Sequence, residues 1–311
     1  MTLKHTTQAT GTNDPTDQIS VNAWNENHTI VDGIDLPAET PNQPAANILR
    51  SYGKKLAGRM MAAFKSSNEV DQLLQTYIGD GQTAFWCGNT GSTSLSAYGA
   101  IGGTTAGTLT NGNVGLTSKV QSINGVEILI TTAATTAVAS WRFTAPQWVR
   151  GNTVGGGFFM NMRVAPATGA SNTSQRFWAG MRQNTAAPTD VEPSTAVHCI
   201  GFGWDAADGN CQIFTNDGTG AATKTDLGAL WPVPVTDRAA MYDIFIFAPR
   251  NTSSVFITVI DLVDGKTYNG EFSADIPPQT TYLAPSTYAS VGGISSVVGI
   301  RFCSCFLQAF S

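Results

Sequence analysis

From about residue 82 onward, apolar and polar positions alternate with a period of two, in short runs broken by Gly, Asn and Asp. Period two puts successive side chains on opposite faces of a strand. Such runs are read at 84–87, 121–131, 140–143, 157–164, 176–182, 197–204, 211–216, 242–248, 255–262, 267–273 and 298–309. Two of them are apolar on both faces: Val255, Ile257 and Val259 interleave with Phe256 and Ile260, and Ile244 to Phe247 contains no polar residue. Strands of that kind belong in the middle of packed layers or under a partner subunit. Asp208-Gly209 and Asp264-Gly265 separate consecutive runs and are strong hairpin signals, because Asp-Gly supplies the positive φ angles of a tight turn. About eleven strands without intervening helices, and without a repeat at fixed period, predict a mainly β fold over residues 82–311. The expected architecture is an antiparallel two-sheet sandwich of the jelly-roll or lectin-like type.

The first 81 residues read differently. Residues 1–45 are polar and rich in Thr, Asn and Asp, with Pro at 15, 37, 41 and 44 to block regular helix. Trp24, Val21, Ile30, Val31, Ile34 and Leu36 are too few to form a core, so the segment is ordered only against its own domain or a partner. Docking on a partner is the preferred expectation for this extended N-terminal arm. Residues 46–81 are expected to be a linker. Arg50, Lys54, Lys55, Arg59 and Lys65 form a basic cluster there, read either as a solvated face or as contact with an acidic partner. Asn68 fits an N-cap with Glu69 and Asp71 in the first turn, and Val70, Leu73, Leu74 and Tyr77 recur at helical spacing up to Gly79. One short amphipathic helix, the longest in the chain, is predicted there.

Charged residues make up 13% of the chain, about half the ~25% of an ordinary soluble domain, and the net charge is −5. An acidic chain without a basic stripe argues against nucleic-acid binding. No run of 18 apolar residues exists, so no membrane-inserting segment is expected, and the first residues lack the apolar core of a secretory signal. Synthesis in a bacterial cytoplasm, with lysis as a route out, is the corresponding expectation. The five cysteines, Cys87, Cys199, Cys211, Cys303 and Cys305, are an odd number in a long chain and are read as buried free thiols. Cys303 and Cys305, two apart, should share one face of a strand. His5, His28 and His198 are too scattered to build a zinc site.

No catalytic motif is present: no G-x-S-x-G elbow, P-loop, HExxH or dinucleotide fingerprint. Asp205, Asp208, Asp217 and Asp226 lie in Gly-rich loops, where Asp more often forms a turn than half of a glycosidase pair. With Asn210 and Asn216, Asp205, Asp208 and Asp217 supply the hard oxygens calcium prefers, at a spacing that matches no fixed calcium loop. No cofactor other than this weak calcium candidate is expected. Exposed tryptophans stack on sugar faces, but Trp86, Trp141, Trp178 and Trp204 read as core or interface. Trp148 and Trp231, beside Gly/Pro-rich loops, are the candidates for exposed glycan-binding rings.

Two stretches carry a resemblance. The opening, from Lys4-His5 to Trp24-Asn25-Glu26-Asn27-His28, resembles the N-terminal arm of bacteriophage virion spike, fibre and minor structural proteins. Ile200-Gly201-Phe202-Gly203-Trp204-Asp205, Phe214 to Gly220, Asp226-Leu227-Gly228 and Tyr242-Asp243-Ile244 resemble the concanavalin/laminin-G-like sandwich head that follows such an arm. Leu56-Ala57-Gly58-Arg59 sits where that family joins arm to head, although Ser66-Ser67-Asn68-Glu69 replaces the expected Gly-Pro-Ser-Gly turn. The resemblance covers about half the chain. It implies a non-enzymatic, structural virion protein, a tail or head spike or fibre subunit, docked on other virion proteins through Trp24, His28, Ile30 and Ile34. It also implies a homo-oligomer, most simply a trimer, whose outer face contacts host surface polysaccharide. The alternatives are a purely architectural decoration or adaptor protein and, further off, a capsule depolymerase.

Overall fold

The computed structural model describes residues 50–65, 71–73, 82–87, 95–98, 103–111, 118–170 and 172–310. The described residues all belong to one compact unit, Ala38–Ser311. The expected docking residues Trp24, His28, Ile30 and Ile34 lie outside them. In chain order the strands begin with β1 (Arg50–Leu56), β2 (Arg59–Lys65), β3 (Asp71–Leu73), β4 (Gln82–Cys87), β5 (Leu95–Tyr98), β6 (Thr104–Ala106) and β7 (Thr108–Asn111). A single helical turn, α1 (Lys119–Ser122), precedes β8 (Val126–Ala134), β9 (Val138–Arg142), β10 (Phe158–Thr168) and β11 (Arg176–Arg182). Then come β12 (Cys199–Trp204), β13 (Gln212–Asn216), β14 (Thr223–Asp226) and β15 (Tyr242–Ala248). The last four are β16 (Val255–Asp261), β17 (Thr267–Phe272), β18 (Ala284–Ser290) and β19 (Ser296–Ala309). No helix among the described residues is long and apolar enough to cross a membrane.

The expected antiparallel sandwich is what forms. One sheet has seven strands in the order β14-β13-β12-β11-β18-β9-β6. The other has nine, running β17-β16-β15-β10-β19 and then splitting. The split arises because β19 is long enough for two partners in succession: Ser296 to Phe302 pairs with β8, and Ser304 to Gln308 with β4. Between the sheets lie Met160, Met162, Ile244, Ile246, Ile257 and Ile300 from one side and Phe177, Met181, Ile200, Phe202 and Ile213 from the other, all fully buried. Rings lock the layers together: Trp141 and Phe302 have centroids 4.4 Å apart, and Phe202 and Tyr242 4.6 Å. Pairs of this kind contribute about 0.5–1.5 kcal/mol each beyond the area they bury.

β19 changes face part-way along. Val298, Ile300 and Phe302 point into the core, and so do Cys305 and Leu307, three residues further on from Phe302 rather than two. The inversion sits where Arg163 pairs with Ser304 but Val164 with Phe302, which leaves Cys303 as the extra residue of a β-bulge. Cys303 therefore packs outside the sheet with Val120, Ala165 and Met241, while Cys305 is in the core. The expectation that these two cysteines share a face fails for that reason: strict alternation holds only along an unbulged strand.

The linker and helix expected over 46–81 are corrected at the residues described there, 50–65 and 71–73; the rest of the expected helix lies outside the described residues. β1 and β2 form a hairpin closed by Ala57 and Gly58, with φ of 45° and 73°. Two consecutive positive φ angles are the signature of the tight turn whose twist matches paired strands. Residues 71–73, inside the expected helix, form β3 and pair with Ala63 to Lys65. The apolar periodicity there is short, and strand pairing with β2 satisfies the same backbone groups. The hairpin tip lies on the outer face of the nine-stranded sheet. Leu56 and Ala57 pack with Phe159, Phe245, Phe247, Phe256 and Ile260, and the Ala57 amide donates to Thr258 Oγ1 at 2.8 Å. Arg59 places its guanidinium 4.8 Å from the Phe159 ring centroid and 5.0 Å from that of Phe310. The strands that read as apolar on both faces are thus covered on one side by the core and on the other by a segment of the same chain.

Candidate functional site

The two tryptophans expected to be exposed are not. Trp148 is 4% exposed, bridges to Leu283 and meets the edge of Phe143 at 5.5 Å. Trp231 is 7% exposed, and its backbone oxygen accepts the Cys211 amide. Both loops fold inward so that the indoles join the core cluster, which buries more apolar area than any sugar contact would. Neither ring is available for stacking.

The calcium candidates are accounted for by protein partners. Lys224 on β14 places its ammonium 3.1 Å from Asp205 and 2.5 Å from Asp208, occupying the position between the carboxylates that a cation would take. Asp205 also accepts the Ser194 amide, and Asp208 the Asp205 amide. Asp217 is turned into its own loop, accepting both the amide and the hydroxyl of Thr219. Among the described residues no cluster of three or more His, Cys, Asp or Glu side chains is arranged to hold a metal. Cys199, Cys211, Cys303 and Cys305 are buried and form no disulfide among the described residues, in keeping with the sequence reading. Burial pushes the Cys211 thiol up to about 12 even though the Tyr242 hydroxyl lies 3.9 Å away, so it is not a nucleophile at neutral pH.

The feature with the shape of a site lies on the outer face of the seven-stranded sheet. Residues 183–198 leave β11, cross that face and return as β12, forming a strap with one 3-10 turn at Pro193–Thr195. Its anchors are charged. Arg176 on β11 holds Asp190 at 2.6 Å and Glu192 at 2.8 Å. Asp190 accepts the amides of Gly292 and Gly293 at 2.8 and 2.7 Å, and Glu192 accepts the Ala206 amide at 2.9 Å. Arg142 Nε and Arg182 Nη2 donate to the strap carbonyls of Thr185 and Ala186 at 2.9 and 3.1 Å.

Strap and sheet enclose a pocket of ≈ 140 Å³ lined by Arg182, Asn184, Pro188, Glu192, Val197 and Tyr288. Arg182 and Tyr288 are 7% and 3% exposed, and the guanidinium carbon lies 5.7 Å from the Tyr288 ring centroid. Burial lowers the Arg182 pKa and raises that of Tyr288. The sheet presents both side chains outward because Trp178, Arg182 and Tyr288 lie on the face opposite Phe177, Met181 and Ala289. Sequence reasoning missed this pocket. Arg182 ends an alternating run and could be placed on the polar face, but Tyr288 lies in a run of small residues that carries no strand signal.

No protein-family model matches the sequence, and no curated protein matches it. Solved structures do. Peanut lectin, in a complex with a 9mer peptide, aligns over 74% of this chain and 97% of its own with 11% identity and a TM-score of 0.44. The lectin UEA-II complexed with galactose aligns over 60% of this chain and 87% of its own, at 12% identity and a TM-score of 0.42. A protein of unknown function from Shewanella oneidensis MR-1 aligns over 76% and 90%, at 14% identity and a TM-score of 0.47. This chain is similar to them in sandwich layout, and at such values the likeness carries no residue role across.

Proposed function

We propose that this chain is a non-enzymatic structural protein of a phage or phage-like particle that presents a lectin-like sandwich to glycan on the host surface. In this reading residues 1–45 dock on other virion proteins through Trp24, His28, Ile30 and Ile34, and the sandwich assembles as a trimer. The observation that carries it is the division of labour between the two outer faces. The nine-stranded sheet is covered by the β1–β2 hairpin, where the chain enters the head, and the seven-stranded sheet bears the strap and its pocket. Binding rather than hydrolysis is supported by the state of the carboxylates. Asp205 and Asp208 share Lys224, Asp190 and Glu192 share Arg176, and Glu127 is held by Arg238 and Arg301. Glycoside hydrolysis requires two carboxyl groups facing each other across a cleft, free to trade a proton and attack.

The test compares the full chain with one lacking residues 1–45, measuring mass in solution, association with particles and binding to bacterial surface polysaccharide. The expected result is the same oligomer for both, polysaccharide binding for both, and particle association for the full chain alone. A truncated chain that is monomeric and has no affinity for polysaccharide overturns the reading. It would favour the architectural decoration protein, which the burial of Trp148 and Trp231 also suits.

A further inference from the structure

We propose that the pocket beneath the 183–198 strap binds a sugar carboxylate, with Arg182 as its counter-ion. The inference rests on the glycan-binding reading and names the class of glycan. Its basis is the partnership of the arginines. Arg163 is paired with Asp243, Arg176 with Asp190 and Glu192, and Arg238 and Arg301 with Glu127. Arg150, also buried, gives its guanidinium to the carbonyls of Pro277 and Thr252. Arg182 combines two features that the other buried arginines among the described residues do not share, an unmet donor and no carboxylate. Among the described residues its one acceptor is the Ala186 carbonyl, its buried Nε meets none, and no carboxylate pairs with it.

A buried guanidinium without a counter-charge is costly to maintain, because desolvation is not offset by attraction. Here the cost is increased by Arg142, whose like charge adds to burial in lowering the Arg182 pKa, and which has no carboxylate partner among the described residues either. Two cations are thus gathered under one strap on a chain of net charge −5. Glu192 reaches the same pocket, but one oxygen takes Arg176 and the other the Ala206 amide, so it does not neutralise Arg182. The pocket opens to solvent, and ≈ 140 Å³ admits a carboxylate with the ring edge that bears it, not a whole pyranose chain. A guanidinium offers a planar fork that a carboxylate matches with two parallel hydrogen bonds. The Asn184 Nδ2 and the Thr189 hydroxyl in the lining supply partners for ring hydroxyls, while Asn184 Oδ1 accepts the Ala186 amide and the Thr195 hydroxyl donates to the Glu192 carbonyl; Pro188 and Val197 form an apolar wall.

The experiment titrates the full chain with methyl β-D-glucuronide, methyl β-D-glucoside and acetate, following the arginine Nε–H resonances. The Arg182 signal is assigned as the one absent in Arg182→Lys. The expected result is a saturable shift of that signal with the glucuronide, and binding at least tenfold weaker for the glucoside and for acetate. Ala187→Trp, an exposed position at the pocket mouth, should abolish the shift while leaving Arg182 and the fold in place. No shift with the glucuronide, or equal binding of the glucoside, overturns the proposal; equal binding of acetate overturns its sugar component. If polysaccharide binding by the wild type survives in both variants, the carboxylate pocket falls and the glycan reading stands. If the wild type binds neither polysaccharide nor glucuronide, both fall.

Discussion

Gly58 rests against the ring of Phe256: a Cβ added to Gly58 would come within 2.7 Å of the Phe256 Cγ. The contact joins the hairpin turn to the outer face of β16, and it is close only because the residue has no side chain. Gly58 also has a φ of 73°, a conformation that costs an L-residue about 1–2 kcal/mol. Gly58→Ala should therefore destabilise by roughly 1–3 kcal/mol, strain and displacement of the hairpin together. Limited proteolysis should cut within 50–65 in the variant before it cuts the sandwich. A variant as protease-resistant as the wild type would show that the hairpin is not seated as described.

Lys224 acts as an internal cation between Asp205 and Asp208, whose side chains are 9% and 11% exposed. Millimolar calcium or EDTA should therefore leave the melting temperature of the wild type unchanged. Lys224→Met removes the ammonium and leaves two half-satisfied carboxylates, at an expected loss of about 1–3 kcal/mol. Calcium should restore part of that loss in the variant only. Stabilisation of the wild type by calcium, seen in a thermal melt, would contradict this account.

Asp190 ties the strap to the turn between β18 and β19. Burial would raise its pKa, but the Ser290 hydroxyl, the Gly292 and Gly293 amides and Arg176 outweigh it, so the folded value is lowered. A lowered folded pKa means the stabilisation is complete above the ordinary Asp value of about 3.9 and is lost as pH falls through the lowered value. Asp190→Asn should accordingly cost about 1–3 kcal/mol at pH 6 and progressively less toward pH 2. Denaturant melts across that range would show the two proteins converging. A constant difference would mean that the carboxylate's charge does not hold the strap.

The alternation of apolar residues was sufficient for the sandwich, because period two with one face turned to a core admits few other solutions. Ten of the eleven runs match strands closely and the eleventh, 121–131, begins in α1 and becomes β8 only from Val126; Asp208-Gly209 and Asp264-Gly265 lie where β12 meets β13 and β16 meets β17. Local pattern failed where a strand takes its character from its neighbours. β18, Ala-Pro-Ser-Thr-Tyr-Ala-Ser, sits fully buried between β11 and β9, and its small residues make room for Trp178 rather than advertising a strand. The Ala57-Gly58 turn is weaker in sequence than Asp-Gly, and its hairpin is placed by the aromatic face it covers. The bulge at Cys303, the inward turn of Trp148 and Trp231 and the pairing of Lys224 with two aspartates depend on residues distant in the chain. The same holds for the pocket: sequence determined an outward-facing Arg182, and only the tertiary structure laid a strap over it and withheld a carboxylate. Periodicity records which side of a strand faces apolar surroundings, whereas the partner of each polar group is chosen by packing across the whole fold.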